Sequence, residues 1–88
     1  MIRRRAILYG EVQGVGMRMS CAREARARGV NGWIRNAPDG TVEAELEGDR
    51  SAVDGLLTWL YAGPPAARVL SVDVTELATQ GEVGFDVR

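Results

Sequence analysis

Gly14-Val15-Gly16-Met17-Arg18 is the segment of this 88-residue chain that carries the most chemistry. Gly14 and Gly16 leave main-chain N–H groups unshielded. Where a helix begins directly after them, its first-turn amides have no internal partner and lie at the positive end of the helix dipole. Arg18, inside that first turn, adds a planar fork that can hold two oxygens at once. The direct reading is a cradle for a dianionic phosphate or a carboxylate. The bland reading of the same residues is a tight turn followed by a solvated arginine. A dinucleotide-binding loop is excluded, because Met19 stands three residues after Gly16 where that fingerprint needs glycine.

The residue types that are missing narrow the chemistry further. The chain has no histidine, which excludes triads with an imidazole base and the common zinc sites. All 11 basic residues are arginine, so the P-loop lysine and any Schiff-base mechanism are excluded too. Cys21 stands alone and makes neither an internal disulfide nor a cysteine-rich metal site. Six residues beyond it, where a thiolate phosphatase would want an arginine, is Ala27, so Cys21 is expected to be a buried structural thiol. If this chain is an enzyme, its substrate must therefore carry much of its own reactivity.

Length and composition fit one soluble globular domain over residues 1–88, with 45% hydrophobic and 26% charged residues. A net charge of −1 argues against a nucleic-acid partner, which usually meets a clear basic excess. No apolar run is long enough for a membrane span and the N-terminus does not read as a secretory signal, so a cytoplasmic protein is expected; separately, a monomer is the expectation.

The periodicities give the elements that must position the cradle. Ala6, Leu8 and Val12 alternate with Ile7, Tyr9 and Glu11, predicting a first strand that ends in the glycine loop. Met17 to Arg28 reads as a helix with Cys21, Ala22 and Ala25 on its apolar stripe, stopped by Gly29. Asn31–Asn36 and Thr41–Glu47 read as a strand pair joined by Ala37-Pro38-Asp39-Gly40, a turn in which Pro38 presets φ and Gly40 supplies the left-handed residue. Asp49 to Tyr61 carries Val53, Leu56, Leu57, Leu60 and Tyr61 at helical spacing, with Asp49 or Ser51 as a cap. Val69–Leu77 is a further strand, and Phe85–Arg88 adds a short edge.

The order β-α-β-β-α-β predicts an α+β, ferredoxin-like sandwich, an antiparallel sheet with two helices on one face. In that topology the first two strands run the same way with the third between them. The loop of residues 13–18 and residue 36 therefore emerge at one edge of the sheet.

Two longer motifs, Gly10-Glu11-Val12-Gln13-Gly14-Val15-Gly16-Met17-Arg18 and Gly29-Val30-Asn31-Gly32-Trp33-Ile34-Arg35-Asn36-Ala37-Pro38-Asp39-Gly40, strongly resemble the acylphosphatase family. The resemblance extends to Glu47-Gly48 and Gly63-Pro64, and so to nearly the whole chain. It implies hydrolysis of the mixed anhydride of a small acyl phosphate, to a carboxylate and inorganic phosphate, without metal or cofactor. On the matching positions Arg18 would bind the phosphate and Asn36 would position the attacking water. The main-chain N–H groups of Gly14, Val15, Gly16, Met17 and Arg18 would complete the cradle, and inorganic phosphate would compete for it. Relatives usually carry Phe or Tyr where this chain has Met17. From its residue type alone, Asn36 equally begins a turn.

Other candidates carry plainer readings. Arg3-Arg4-Arg5 is expected to be solvated, and Glu43, Glu45 and Glu47 to lie on an outward strand face rather than hold a metal. Trp33 and Tyr9 could stack bases on an open sheet, but the aromatic-rich consensus of RNA-recognition folds is absent. The alternative function is a non-catalytic module that binds an acyl phosphate, carbamoyl phosphate or a carboxylate in the same cradle.

Overall fold

In the computed structural model, which describes residues Met1–Arg88, the elements run β1 (Ile2–Glu11), α1 (Met17–Arg28), β2 (Asn31–Asn36), β3 (Val42–Gly48), α2 (Arg50–Ala62), β4 (Arg68–Leu77) and β5 (Phe85–Val87). The five strands form one sheet in the order β4-β1-β3-β2-β5. β3 pairs antiparallel with both β1 and β2, β4 pairs antiparallel with β1, and only the short β5 joins in parallel, along β2. This is the expected ferredoxin-like arrangement, and its first helix has the expected limits. No helix is long and apolar enough to cross a membrane.

Both helices cover one sheet face. Ala6 and Leu8 of β1, Ile34 of β2, and Val42, Ala44 and Leu46 of β3 are fully buried beneath them. α1 contributes small side chains, Cys21, Ala22 and Ala25, which let its backbone approach the sheet closely. α2 contributes the bulkier Val53, Leu56 and Leu60, each stabilising by about 1.5–3 kcal/mol on burial. The stripe is narrower than its sequence suggests, because Tyr61 remains 54% exposed. Asp49 occupies the N-cap position of α2 but makes no side-chain cap bond. Burial, with a contribution from Glu24, pushes the Cys21 thiol up to about 12, which makes it the inert thiol expected from the sequence.

The opposite sheet face corrects two expectations. Arg3 is not solvated but 1% exposed, and Glu45 and Glu47 are buried rather than outward in water. Two features of the topology cause this. β3 is the central strand, so its carboxylates lie between arginines on both neighbours. In addition, β4 and β5 occupy opposite edges, so residues 78–84 must cross the open face as a strap. Arg3 donates to Glu45 at 2.8 Å, to Glu47 at 3.1 Å and to Glu82 of the strap at 2.9 Å. Glu47 also accepts from the main-chain N–H groups of Gln80 and Gly81, at 2.7 and 2.8 Å.

These contacts hold carboxyl groups ionised. The N–H of Gln80 is the largest influence lowering the Glu47 carboxyl below its ordinary 4.5, against the opposing effect of burial, with Arg3 and Gly81 assisting. For Glu45, burial opposes ionisation and the hydrogen bonds from Arg3 and Arg5 outweigh it, so its carboxyl is lowered as well. A depressed folded-state value stabilises the fold above the unfolded value and is lost as pH falls through the folded one. Glu47→Gln should therefore lower Tm at neutral pH by at least about 4–8 °C. The gap between variant and parent should close as pH falls below 4.5. Thermal melts of both proteins across acid pH check this, and a gap that persists undiminished in acid would contradict it.

Candidate active site

The register places the two sequence motifs at one end of the sheet. Val42 of β3 pairs with Leu8 of β1 on one side and with Asn36 of β2 on the other. The chain leaving β1 and the end of β2 consequently emerge together, as the topology demands.

Between β1 and α1 the chain turns through Gly14 and Gly16, with φ of +73° and +81°. Both angles lie in the left-handed region, where a side chain strains the backbone. A Cβ at either position would meet nothing within 4 Å, so the requirement for glycine is conformational and the approach to the loop is open. Gly16 is the N-cap of α1. The first main-chain bond of the helix runs from Ser20 N–H to the Gly16 carbonyl at 3.1 Å, so the amides of Met17, Arg18 and Met19 precede it. No acidic side chain occupies the first turn to compete for them. The result is a turn whose main-chain donors have no partner within the helix.

Gly14, Gly16, Met17, Arg18 and Asn36 line one concavity of about 90 Å³, together with Val12 and Met19. Of the residues expected in the cradle, only the Val15 side chain turns elsewhere, packing against the core. Met17 is 1% exposed. Its Cε lies so close to Gly63 that a Cβ there would come within 2.8 Å. The unbranched thioether is thus packed in the core against the end of α2.

Arg18 donates from Nη1 to the main-chain oxygen of Arg88 at 2.9 Å. Arg88 is itself fixed, with its N–H on the Ile34 carbonyl at 2.8 Å and its guanidinium over the Trp33 ring at 4.8 Å. One edge of the Arg18 fork is thereby anchored, and its remaining N–H groups have no partner within the protein. Trp33 packs against the Arg88 guanidinium.

Two contacts at the site escaped the sequence. Besides Arg88, Gln13 donates from Nε2 to the carbonyls of Ala37 and Thr41, at 2.8 and 2.9 Å. The Ala37-Pro38-Asp39-Gly40 turn forms as expected. Ala37 N–H bonds the Thr41 carbonyl at 2.8 Å, and the Asp39 carboxylate accepts from Thr41 Oγ1 at 2.6 Å and Thr41 N at 3.0 Å. The Thr41 hydroxyl and main-chain N–H lower the Asp39 carboxyl.

The chain is a ferredoxin-like sandwich with a concavity at its first strand-to-helix turn, where first-turn amides without an internal partner, Arg18 and Asn36 meet. The sequence profile of the acylphosphatase family matches residues 4–87. An acylphosphatase of Anaeromyxobacter dehalogenans is 52% identical over 88 residues, covering 99% of this chain and 95% of that protein. One from Thermococcus kodakarensis is 55% identical over 80 residues, or 91% of this chain and 88% of the relative. The crystal structure of acylphosphatase from Bacillus subtilis superposes with a TM-score of 0.97 at 35% identity, covering 100% of this chain and 99% of that one. The chain belongs to the acylphosphatase family.

Proposed function

We propose that this protein, as a single acylphosphatase domain over residues 1–88, hydrolyses the carboxyl–phosphate bond of small acyl phosphates to a carboxylate and inorganic phosphate. The observation that carries the reading is the concavity joining the first-turn amides of α1, Arg18 and Asn36. At about 90 Å³ it suits a phosphoryl group and falls well short of the roughly 300 Å³ at which drug-sized ligand pockets begin. Recognition is therefore of the phosphoryl end, and the acyl part extends outward past the exposed Met19.

The chemistry asked of the site is small. An acyl phosphate expels a carboxylate, which leaves without prior protonation, so no histidine acid is needed. What remains is to hold the phosphoryl group, spread its charge and align one water in line. Arg18 and the loop amides bind the equatorial oxygens, and the Asn36 amide orients the water through its oxygen and nitrogen. A phosphate oxygen of the substrate itself accepts the proton of that water. The proposal includes a monomer working in the cytoplasm on a small molecule, with neither nucleic acid nor membrane as partner.

A continuous assay of benzoyl phosphate hydrolysis by the purified protein tests the activity, and absence of turnover with retained phosphate binding would leave the non-catalytic binding module in its place. Because every proposed donor is an arginine, an asparagine or a main-chain amide, activity should survive exhaustive chelation. Inorganic phosphate should inhibit competitively, since it presents the same oxygens to the same cradle. Activity lost to a chelator and restored by a divalent ion would overturn the metal-independent chemistry.

A further inference from the structure

We propose that Gln13 is a positioning residue for the hydrolysis, tying the turn that begins after Asn36 to the phosphate cradle. The inference rests on the catalytic reading of Asn36 given above. β1 and β2 are not neighbours, because β3 lies between them, so at the level of Leu8, Val42 and Asn36 their strands are about 10 Å apart. Leu8 is also where pairing of β1 with β3 ends, and from Tyr9 to Glu11 the strand is paired only with β4 on its other side. Beyond that level no ladder joins the chain leading into the cradle to the hairpin that carries Asn36.

The Gln13 side chain crosses this gap. It immediately precedes Gly14, and its amide NH₂ spends both donors on the Ala37 and Thr41 carbonyls. Ala37 directly follows Asn36, and Thr41 closes the same turn. The turn does not need these bonds to form. Ala37 N–H on the Thr41 carbonyl and Gly40 N–H on the Ala37 carbonyl already close it, and Asp39 braces it through Thr41. What Gln13 adds is a fixed distance between the bound phosphoryl group and the water held by Asn36. An error of about 1 Å in such a distance costs up to roughly 100-fold in rate.

The test is benzoyl phosphate hydrolysis by Gln13→Met, Asn36→Ala and the double variant, with phosphate inhibition and thermal melting recorded for each. Gln13→Met keeps the length of the side chain and removes both donors. It should lower kcat about tenfold while KM and the inhibition constant for phosphate stay within about twofold. In the Asn36→Ala background the same change should cost nothing further, because the residue it positions is gone. Gln13→Glu, which turns a carboxylate toward two carbonyl oxygens, should lower kcat at least as much and serves if the methionine variant does not fold. Parental kcat in a folded Gln13 variant, or a loss of equal size with and without Asn36, overturns this inference alone. Parental kcat in Asn36→Ala overturns the catalytic reading of Asn36 and this inference with it.

Discussion

Arg18→Lys is expected to lower kcat/KM by about 2–4 kcal/mol, the loss typical of a removed electrostatic clamp on a transition state. The substitution keeps the positive charge, so the loss measures geometry. Guanidinium presents five N–H groups in one plane, and Nη1 of Arg18 already uses one edge on the main-chain oxygen of Arg88. That anchor fixes the plane of a guanidinium that lines the concavity. An ammonium is a compact, rotatable donor that would have to choose between the Arg88 oxygen and the ligand. Phosphate inhibition should weaken in parallel if, as proposed, the same fork holds the product. Arg18 is in the first turn of α1 and bears none of the core, so Tm should stay within a few degrees of the parent. A lysine variant with near-parental turnover would return Arg18 to the role of a surface residue.

The elements were legible in the sequence because their signals are local. The limits of α1 follow from Gly16 before it and Gly29 after it, and the turn before β3 follows from Pro38, Asp39 and Gly40. The gathering of the cradle with residue 36 followed from element order alone, since two strands flanking a third antiparallel one must end on the same side. What stayed hidden depends on pairs far apart in the chain. Arg3 looks like one of three solvated terminal charges until the strap folds over it and brings Glu82 alongside Glu45 and Glu47. Alternating glutamates on a strand read as an outward face, and the central place of β3 together with the strap makes that face a buried one. Gln13 carries no sequence signal of its role either, because its acceptors are main-chain carbonyls, which every residue has.

Asn36→Ala should separate binding from chemistry. The cradle is built from the β1–α1 turn, so phosphate affinity and KM should change little when the amide is removed. On the proposed reading the attacking water, no longer held by the amide, would drift out of line with the leaving carboxylate. Turnover should then fall on the order of 10²–10³-fold, comparable to the loss of one preorganised donor in other active sites. A fall in kcat with KM preserved is the signature of an interaction made mainly in the transition state. Asn36 is the last residue of β2 and pairs with Val42, so its substitution could also disturb the hairpin. Two features limit that disturbance: the pairing is main-chain and independent of the side chain, and the turn that follows is closed by Ala37, Gly40 and Thr41. The variant should melt near the parental temperature, and its kinetics can then be read as chemistry. A folded Asn36→Ala protein that binds phosphate normally and turns over at the parental rate would assign Asn36 to the hairpin alone and leave the water to be aligned by the cradle.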